Sequence, residues 1–194
     1  PVGRLPTASE MPMPISSAIA GGVPNAPGLY ALHATENVWR ELGLGAPPDE
    51  RPLYVGKAEG SLVSRDLNTH FATGQTGRSS PRRSIAALLS AASPLALVSM
   101  PRRPHDPEPK KWTHFALEEA GDEQLTEWMR AKLKIAVWPS PPGAALAAVE
   151  GRVMRAWKPP LNLVGVTTPW TAEVKAARAV MARQAREWAR ARGF

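Results

Sequence analysis

Residues 51–70, with the sequence RPLYVGKAEGSLVSRDLNTH, place a strand pattern directly before a helix pattern. The run PLYVGK is short, apolar and rich in strand-favouring residues, and its final glycine and lysine are typical of a strand that enters a loop. The following residues predict a helix over Leu62 to Phe71. In an α-helix, Arg65 and His70, five positions apart, project within about 140° of each other. We therefore expect a strand and a helix that direct this arginine and this histidine toward one cleft.

A second strand pattern, PGLYAL at residues 27–32, also carries a tyrosine. Tyr30 and Tyr54 thus lie on two β-patterned segments that are joined by a connection rich in proline and glycine. This arrangement predicts an antiparallel hairpin with a long loop. The connection, residues 34–50, includes Val38, Trp39, Leu42 and Leu44 and is expected to hold a helical turn, and its residues 43–48 predict a loop.

Near the other end of the chain, a glutamate precedes an asparagine by twelve positions in EGRVMRAWKPPLN. Glu150 lies on a helix predicted over Gly143 to Trp157, which ends before a pair of prolines. The apolar stripe of this helix consists of Leu146, Val149, Val153, Met154 and Trp157. A glutamate beside such a stripe is, taken alone, more often solvated or ion-paired than catalytic.

The order of these elements resembles the signature of the GIY-YIG endonuclease superfamily: GLY, then YVGK, Arg65, His70, and finally Glu150 with Asn162. The resemblance implies an α/β fold of the α+β type, with a small, mainly antiparallel sheet flanked by helices. It implies a metal-dependent DNA endonuclease that hydrolyses phosphodiester bonds. The implied cofactor is Mg²⁺ or Mn²⁺, and the implied partner is duplex or branched DNA.

The resemblance also implies roles for the site residues. Tyr30 is expected to act as the general base toward water, His70 to accept or relay its proton, and Tyr54 to order the water and the phosphate. Tyrosine is a poor base at neutral pH unless positive charge stabilises the phenolate. The simpler alternative is that the tyrosines are half-buried strand aromatics and that His70 is a surface or capping residue.

The remaining roles concern charge and positioning. Arg65 is expected to grip the phosphate with its planar fork, and Lys57 to neutralise charge or position water. Asn162 is expected to fix the tyrosine hairpin against the Glu150 helix, and Gly56 to permit close backbone approach. Glu150 is the expected metal ligand. A single carboxylate suits one hydrated ion, because two ions about 4 Å apart normally need several carboxylates.

Two features depart from the family pattern. The connection between the tyrosine strands is longer than in most members. In many members the histidine or tyrosine follows the arginine at a spacing of four, whereas Thr69 holds that place here and His70 comes next.

The loop GQTGRSSPRRS, residues 74–84, is a second candidate site. Guanidinium forks and hydroxyl groups suit phosphate oxygens. The candidate nucleic-acid contacts are Arg78, Ser79, Arg82 and Arg83. The alternative is that Ser80 caps a helix over Pro81 to Ala92 while the arginines are merely solvated. Further along, His105 and Asp106 are adjacent in a proline-rich loop and make poor chelators, so no metal site is expected there.

Composition favours a polyanionic partner without requiring one. The 194 residues carry 24 Lys and Arg against 17 Asp and Glu, with a pI of about 10.2. Without cysteine, disulfides and thiolate metal sites are excluded, and a cytoplasmic location is compatible. The chain has no run of about 18 apolar residues and no signal-peptide pattern at its start, so we expect no membrane association.

The chain divides into three expected parts: an N-terminal arm over residues 1–26, a catalytic domain with insertions over 27–165, and an amphipathic helix over 166–194. The apolar side of that helix is assigned to Val174, Ala177, Val180, Met181 and Trp188, and it either packs on the domain or lies along DNA. Further strands are expected near residues 95–100, 112–118 and 135–138, with a helix that begins at Asp122.

Two other functions remain open from the sequence. A non-cleaving nucleic-acid-binding module would keep the basic surface, and an enzyme of the same fold would use the pocket on a small molecule. The sequence shows no separate DNA-recognition module, so specificity has to come from loops or from a homodimer.

Overall fold

The computed structural model describes residues 12–92, 97–102 and 114–194. Six strands lie within these ranges: β1 (Met13–Pro14), β2 (Gly28–Ala34), β3 (Tyr54–Ala58), β4 (Ser99–Pro101), β5 (Phe115–Leu117) and β6 (Leu133–Pro139). The main sheet is antiparallel with the order β1-β6-β2-β3, and β4 pairs with β5 in a separate two-stranded sheet. The predicted fold class is thereby confirmed, with four strands in the main sheet where about three were expected.

The helices surround the main sheet. They are α1 (Ile15–Ser17), α2 (Glu36–Glu41), α3 (Ser80–Ala92), α4 (Glu119–Lys132), α5 (Leu146–Trp157) and α6 (Thr171–Ala191). Two π-helical segments, Ala18–Gly22 and Val63–His70, and a 3₁₀ turn, Thr76–Arg78, complete the described structure. None of the helices in the described part of the chain is long and apolar enough to cross a membrane.

The register of the hairpin decides which side chains share a face. Tyr30 pairs with Gly56, and Tyr54 pairs with Leu32. Because neighbouring side chains of a strand point to opposite faces, these four positions lie on one face of the sheet. That face meets the larger hydrophobic core, in which α3 is buried from Pro81 to Leu89.

The opposite face of the sheet is covered by α5. Leu29, Ala31 and Val55 from the strands meet Val153, and four further apolar residues of α5 pack around them. The apolar stripe predicted for this helix is therefore confirmed. The helix ends at Trp157, the capping residue Lys158 has a left-handed backbone with φ of 46°, and the two prolines follow.

The predicted helix over residues 62–71 is mainly a π-helix, Val63–His70. Its hydrogen bonds join residues five apart, whereas those of an α-helix join residues four apart. Positions 65 and 70 are therefore separated by about one turn. The extra residue noted in the sequence is absorbed by the wider turn.

The C-terminal helix α6 packs against α3 and the small sheet. Val174, Met181 and Ala185 are buried along it, together with Ala182 and Ala189. Val180, which the sequence placed on the apolar side, is 42% exposed. Ala177 and Trp188 are partly buried, so Val180 is the one residue of the predicted apolar side that the structure leaves exposed.

The N-terminal segment contributes to the sheet and the core. Met13 and Pro14 pair with β6, and both Ile15 and Ala18 are fully buried in the main core. Residues 1–11 of the segment predicted as an arm lie outside the described residues, as do His105 and Asp106.

Two helix starts differ from the sequence predictions. The helix predicted from Asp122 begins at Glu119, because the preceding β5 ends at Leu117. At the start of α3, the backbone N–H of Arg82 donates to Oγ of Ser79, so the capping side chain is Ser79 and not the predicted Ser80.

Candidate active site

Tyr30 lies against Gly56 of the neighbouring strand. A Cβ at position 56 would overlap the hydroxyl and Cζ of Tyr30. Glycine at this position therefore gives the tyrosine ring the space to lie flat over β3. The close backbone approach expected at Gly56 is confirmed.

A buried hydrogen-bond chain begins at the Tyr30 hydroxyl. Its oxygen lies 2.6 Å from Nε2 of His70, and Nδ1 of His70 lies 2.7 Å from Oγ of Ser79. Tyr30 is 2% exposed, and His70 and Ser79 are fully buried. Both ring nitrogens of His70 thus have a hydrogen-bond partner. If Nε2 gains a proton from Tyr30, Ser79 Oγ still accepts a hydrogen bond from Nδ1.

Tyr54 joins the same cluster at its outer side. Its ring centroid lies 6.1 Å from that of Tyr30 and 6.3 Å from that of His70. Tyr54 is only partly buried, in contrast to the other two rings. It is therefore the member of the aromatic cluster that faces solvent.

The π-helix positions His70 at its last residue. The carbonyl of His70 accepts a hydrogen bond from Nη1 of Arg82 at 3.1 Å, which ties the end of this helix to α3. Arg65 lies in the first half of the same helix, but for residues 64–67 the structure describes the backbone only. The side chain of Arg65 lies outside the described part.

Asn162 joins the edge strand of the hairpin to α5. Its Oδ1 accepts from the backbone N–H of Val55 at 2.9 Å, and its Nδ2 donates to the carbonyl of Val55 at 2.7 Å. Nδ2 also lies 3.2 Å from Sδ of Met154. The amide thereby replaces a neighbouring strand at the outer edge of β3, between Tyr54 and Gly56.

Lys57 lies on the other face of the sheet, which is covered by α5, the helix that carries Glu150. Lys57 donates to Oε1 of Glu59 at 2.7 Å, and this hydrogen bond is the main cause that raises the pKa of Lys57. The charge of Glu150 raises the pKa of Lys57 further, so the two side chains are electrostatic neighbours. Glu150 itself is partly buried. Lys57 and α5 thus lie on one face of the sheet and the aromatic cluster lies on the other, with β3 contributing residues to both.

Within the arginine-rich loop, Ser79 and Arg82 are fully buried. Arg82 forms an ion pair with Asp122 at 3.1 Å and donates to Thr76 Oγ1 and Thr126 Oγ1. Burial lowers the pKa of Arg82, and the charge of Asp122 opposes this effect. Both residues use their polar groups inside the protein, so the structure does not present them to a phosphate as the sequence suggested.

The other two loop arginines differ from each other. Arg78 is exposed, whereas Arg83 is 6% exposed and its Nη1 donates to the carbonyl of Gly77 at 2.8 Å. Tyr54 lies close enough to raise the pKa of both Arg83 and Arg178, although burial lowers both values overall. Sequence reasoning missed Arg178 as a neighbour of the site. The available signal was its place four residues after Val174 and three before Met181, within the buried stripe.

The donor set for a metal ion is small. Among the described residues, no group of three or more His, Asp or Glu side chains is placed to hold an ion. Glu150 offers one hard carboxylate, which fits Mg²⁺ that keeps most of its waters and takes further oxygens from a substrate phosphate. Such a site depends on substrate for its completion.

Comparison with known protein families found a match. The family model described as the GIY-YIG catalytic domain matches residues 48–185, well over half of the chain. The chain therefore belongs to the GIY-YIG family, as its motifs predicted. Comparisons with curated proteins and with solved structures found no match.

Membership in this family indicates a nuclease domain that acts on nucleic acid. The matched range includes Tyr54, Lys57, His70, Glu150 and Asn162. Tyr30 precedes it, yet the structure pairs its strand with β3 and bonds its hydroxyl to His70. The long connection after Tyr30 is thus compatible with the paired hairpin.

Proposed function

We propose that this protein is a metal-dependent DNA endonuclease that hydrolyses phosphodiester bonds by direct attack of water. The observation that carries the proposal is the buried chain from Tyr30 through His70 to Ser79. A structural tyrosine needs one partner for its hydroxyl, whereas a general base needs a path for the proton that it receives. The histidine provides that path.

In the proposed reaction, the Tyr30 oxygen receives a proton from water as its own proton moves to Nε2 of His70. Nδ1 of His70 donates to Oγ of Ser79 and so stabilises the charged ring. Because Tyr30 is buried and Tyr54 is partly exposed, water reaches the Tyr30 oxygen beside Tyr54. Tyr54 then orders the water and a phosphate oxygen.

The remaining residues neutralise charge. Arg65 grips the scissile phosphate through two donors, a geometry that lysine does not offer. Lys57 lies on the Glu150 side of β3 and supplies a second positive charge near the phosphate. Asn162 holds β3 against α5 and so fixes the position of Glu150 relative to the tyrosines.

Glu150 would hold the divalent ion, which on binding polarises the phosphate and stabilises the departing oxygen. Because α5, which carries Glu150, and the tyrosines lie on opposite faces of the sheet, we expect a phosphate that contacts both to lie along β3, the edge strand. This requirement predicts that the substrate backbone crosses that edge.

Incubation of the purified protein with supercoiled plasmid tests the proposal. Nicking or linearisation with Mg²⁺ or Mn²⁺, its loss in chelator and its loss in Glu150→Gln are the expected results. Glu36→Gln is the matched control, because Glu36 is an exposed helical glutamate paired only with Arg40 in the described structure. It should cut as the wild type does.

Two outcomes would contradict endonuclease activity. A gel shift with intact plasmid under all metal conditions would support a non-cleaving binding module. Absence of both cleavage and binding would favour an enzyme of the same fold that acts on a small molecule.

A further inference from the structure

Three arginines from different elements lie near one another, and two of them, Arg83 and Arg178, are electrostatic neighbours of Tyr54. Arg83 lies on α3, Arg102 follows β4 and Arg178 lies on α6. We call them the arginine cluster. Arg83 forms its floor, Arg178 is partly buried, and Arg102 is exposed at its mouth.

Contacts with Gly77 and with α3 bring the three side chains close together. Arg83 donates to the carbonyl of Gly77, and the aliphatic stem of Arg102 packs over Gly77 so closely that a Cβ there would lie 2.8 Å from its Cγ. Arg178 reaches toward α3, where its Nη1 lies 3.3 Å from Ser80 Oγ and 3.4 Å from Ser84 Oγ. Ser84 directly follows Arg83 on that helix.

The cluster concentrates positive charge. Burial lowers the pKa of Arg83 to about 10, and the charges of Arg178 and Arg102 add to this effect. The pKa of His114 is lowered by burial and then by the same three arginines. In the described part of the chain, no carboxylate forms an ion pair with any member of the cluster.

One donor within the cluster has no hydrogen-bond partner among the described residues. Nε of Arg83 is buried and makes no hydrogen bond to any described residue. A buried donor without a partner costs free energy, and in native structures it often marks a place where water or an ion completes the bonding. Like charges gathered without a counter-charge are likewise relieved by an anion.

We propose that Arg83, Arg102 and Arg178 form a second phosphate-binding site, which holds a backbone phosphate of the nucleic-acid substrate next to the scissile one. This inference rests on the proposed nuclease function, because it assigns the cluster to the same substrate. Guanidinium groups suit phosphate oxygens through paired, charge-assisted hydrogen bonds. The site gives α6 a role in substrate binding in addition to its packing role.

The arginine cluster and the proposed catalytic residues have different functions: the cluster binds the substrate, and the catalytic residues carry out the chemical step. Tyr54 is the common neighbour, since it contacts the rings of Tyr30 and His70 and lies within electrostatic reach of Arg83 and Arg178. A phosphate held by the cluster fixes the register of the strand without meeting the attacking water. Loss of the cluster should therefore weaken binding much more than it slows the chemical step.

Binding of a labelled DNA duplex in chelator measures the first part of this expectation. Arg178→Gln should raise the Kd about 10-fold or more and reduce the slope of log Kd against log salt by about 0.9. Arg183→Gln, an exposed arginine on the same helix, is the matched control and should change neither value by as much. Arg102→Gln is the second variant. Arg102 is exposed and makes no hydrogen bond in the described structure, so this substitution should not impair folding.

A duplex with single methylphosphonate linkages locates the contact. Replacing one phosphate at a time around the cleavage position removes its charge. At one flanking position the replacement should weaken wild-type binding and have little further effect on Arg178→Gln, which is the signature of a direct pair in a double-mutant cycle. Free inorganic phosphate that binds without any such position would overturn the assignment to the substrate backbone.

The outcomes separate this inference from the proposed function. If the wild type cuts DNA while Arg178→Gln and Arg102→Gln bind and cut like Arg183→Gln, the second site is wrong and the nuclease stands. If the variants lose the chemical rate at saturating DNA with unchanged Kd, the cluster is not a binding site. If the wild type neither binds nor cuts DNA, both proposals fail.

Discussion

The hydroxyl of Tyr30 lies 2.6 Å from Nε2 of His70, although 40 positions separate the two residues. The contact joins a central strand to the end of a π-helix, and both side chains are buried, with Tyr30 part of the main core. A buried polar pair of this kind is stable only when its hydrogen-bonding groups are satisfied. Ser79 satisfies the other side of the imidazole.

Removal of the Tyr30 hydroxyl tests its proposed role as a base. Tyr30→Phe keeps the ring, so the protein should still fold and bind DNA. The rate of the chemical step should fall by about 100-fold or more, because general base catalysis contributes about 10² to 10⁴. Single-turnover cleavage of a labelled duplex measures this rate. A rate within about threefold of the wild type would show that Tyr30 is structural.

Gly56→Ala should disturb the same tyrosine from the opposite side. The added Cβ would overlap the Tyr30 hydroxyl and Cζ, and overpacking of this kind costs about 1–3 kcal/mol. Urea unfolding should show a lower free energy of unfolding, and cleavage should fall with it. Gly60→Ala is the matched control on the same hairpin side, because a Cβ there meets nothing within 4 Å. Equal behaviour of the two variants would contradict the close approach.

Arg82→Ala should be strongly destabilising. The change leaves the buried carboxylate of Asp122 without its cation, and loss of one partner from a buried ion pair costs about 3–5 kcal/mol. Thermal and urea unfolding measure the effect. The exposed neighbour Arg78 provides the comparison, and Arg78→Ala should change stability by less than about 0.5 kcal/mol. A small loss for Arg82→Ala would contradict its structural role.

Asn162→Ala should loosen the contact between β3 and α5. The variant loses both hydrogen bonds to Val55, and each is worth about 0.5–1.5 kcal/mol. We expect a modest loss of stability and a larger loss of metal-dependent cleavage, since Glu150 is carried by α5. Titration of Mg²⁺ in the cleavage assay should show a higher requirement for the ion. An unchanged Mg²⁺ requirement would show that Asn162 does not support the proposed metal site.

His33 predicts a pH dependence of stability. Burial lowers its pKa from 6.5 to about 4, so the folded protein holds it neutral while the unfolded chain protonates near pH 6.5. The unfolded state binds more protons between these values, and stability therefore falls as the pH falls from about 6.5 to about 4. The full contribution is on the order of 3 kcal/mol. In His33→Phe, the difference in unfolding free energy between pH 7 and pH 4.5 should shrink.

The family and its main elements follow from the sequence because they depend on local signals. The strand patterns around Tyr30 and Tyr54 and the stripe of α5 are periodicities of two and of 3.6 residues, which the order of residues within each short segment shows directly. The spacing from Glu150 to Asn162 was likewise visible. The sequence also indicated that Gly56 allows a close approach to the backbone.

The tertiary structure alone decided which polar residues face the substrate and which support the fold. Ser79, Arg82 and Arg83 are close in sequence. In the interior, Ser79 is bonded to His70 and Arg82 is paired with Asp122, whereas Arg83 lies near Arg102, Arg178 and Tyr54. An arginine carries the same charge in every sequence, but its role depends on whether distant elements supply a carboxylate or more cations. Packing decides the role of each arginine, because a buried charge without a partner costs free energy and the fold determines which partners lie near it.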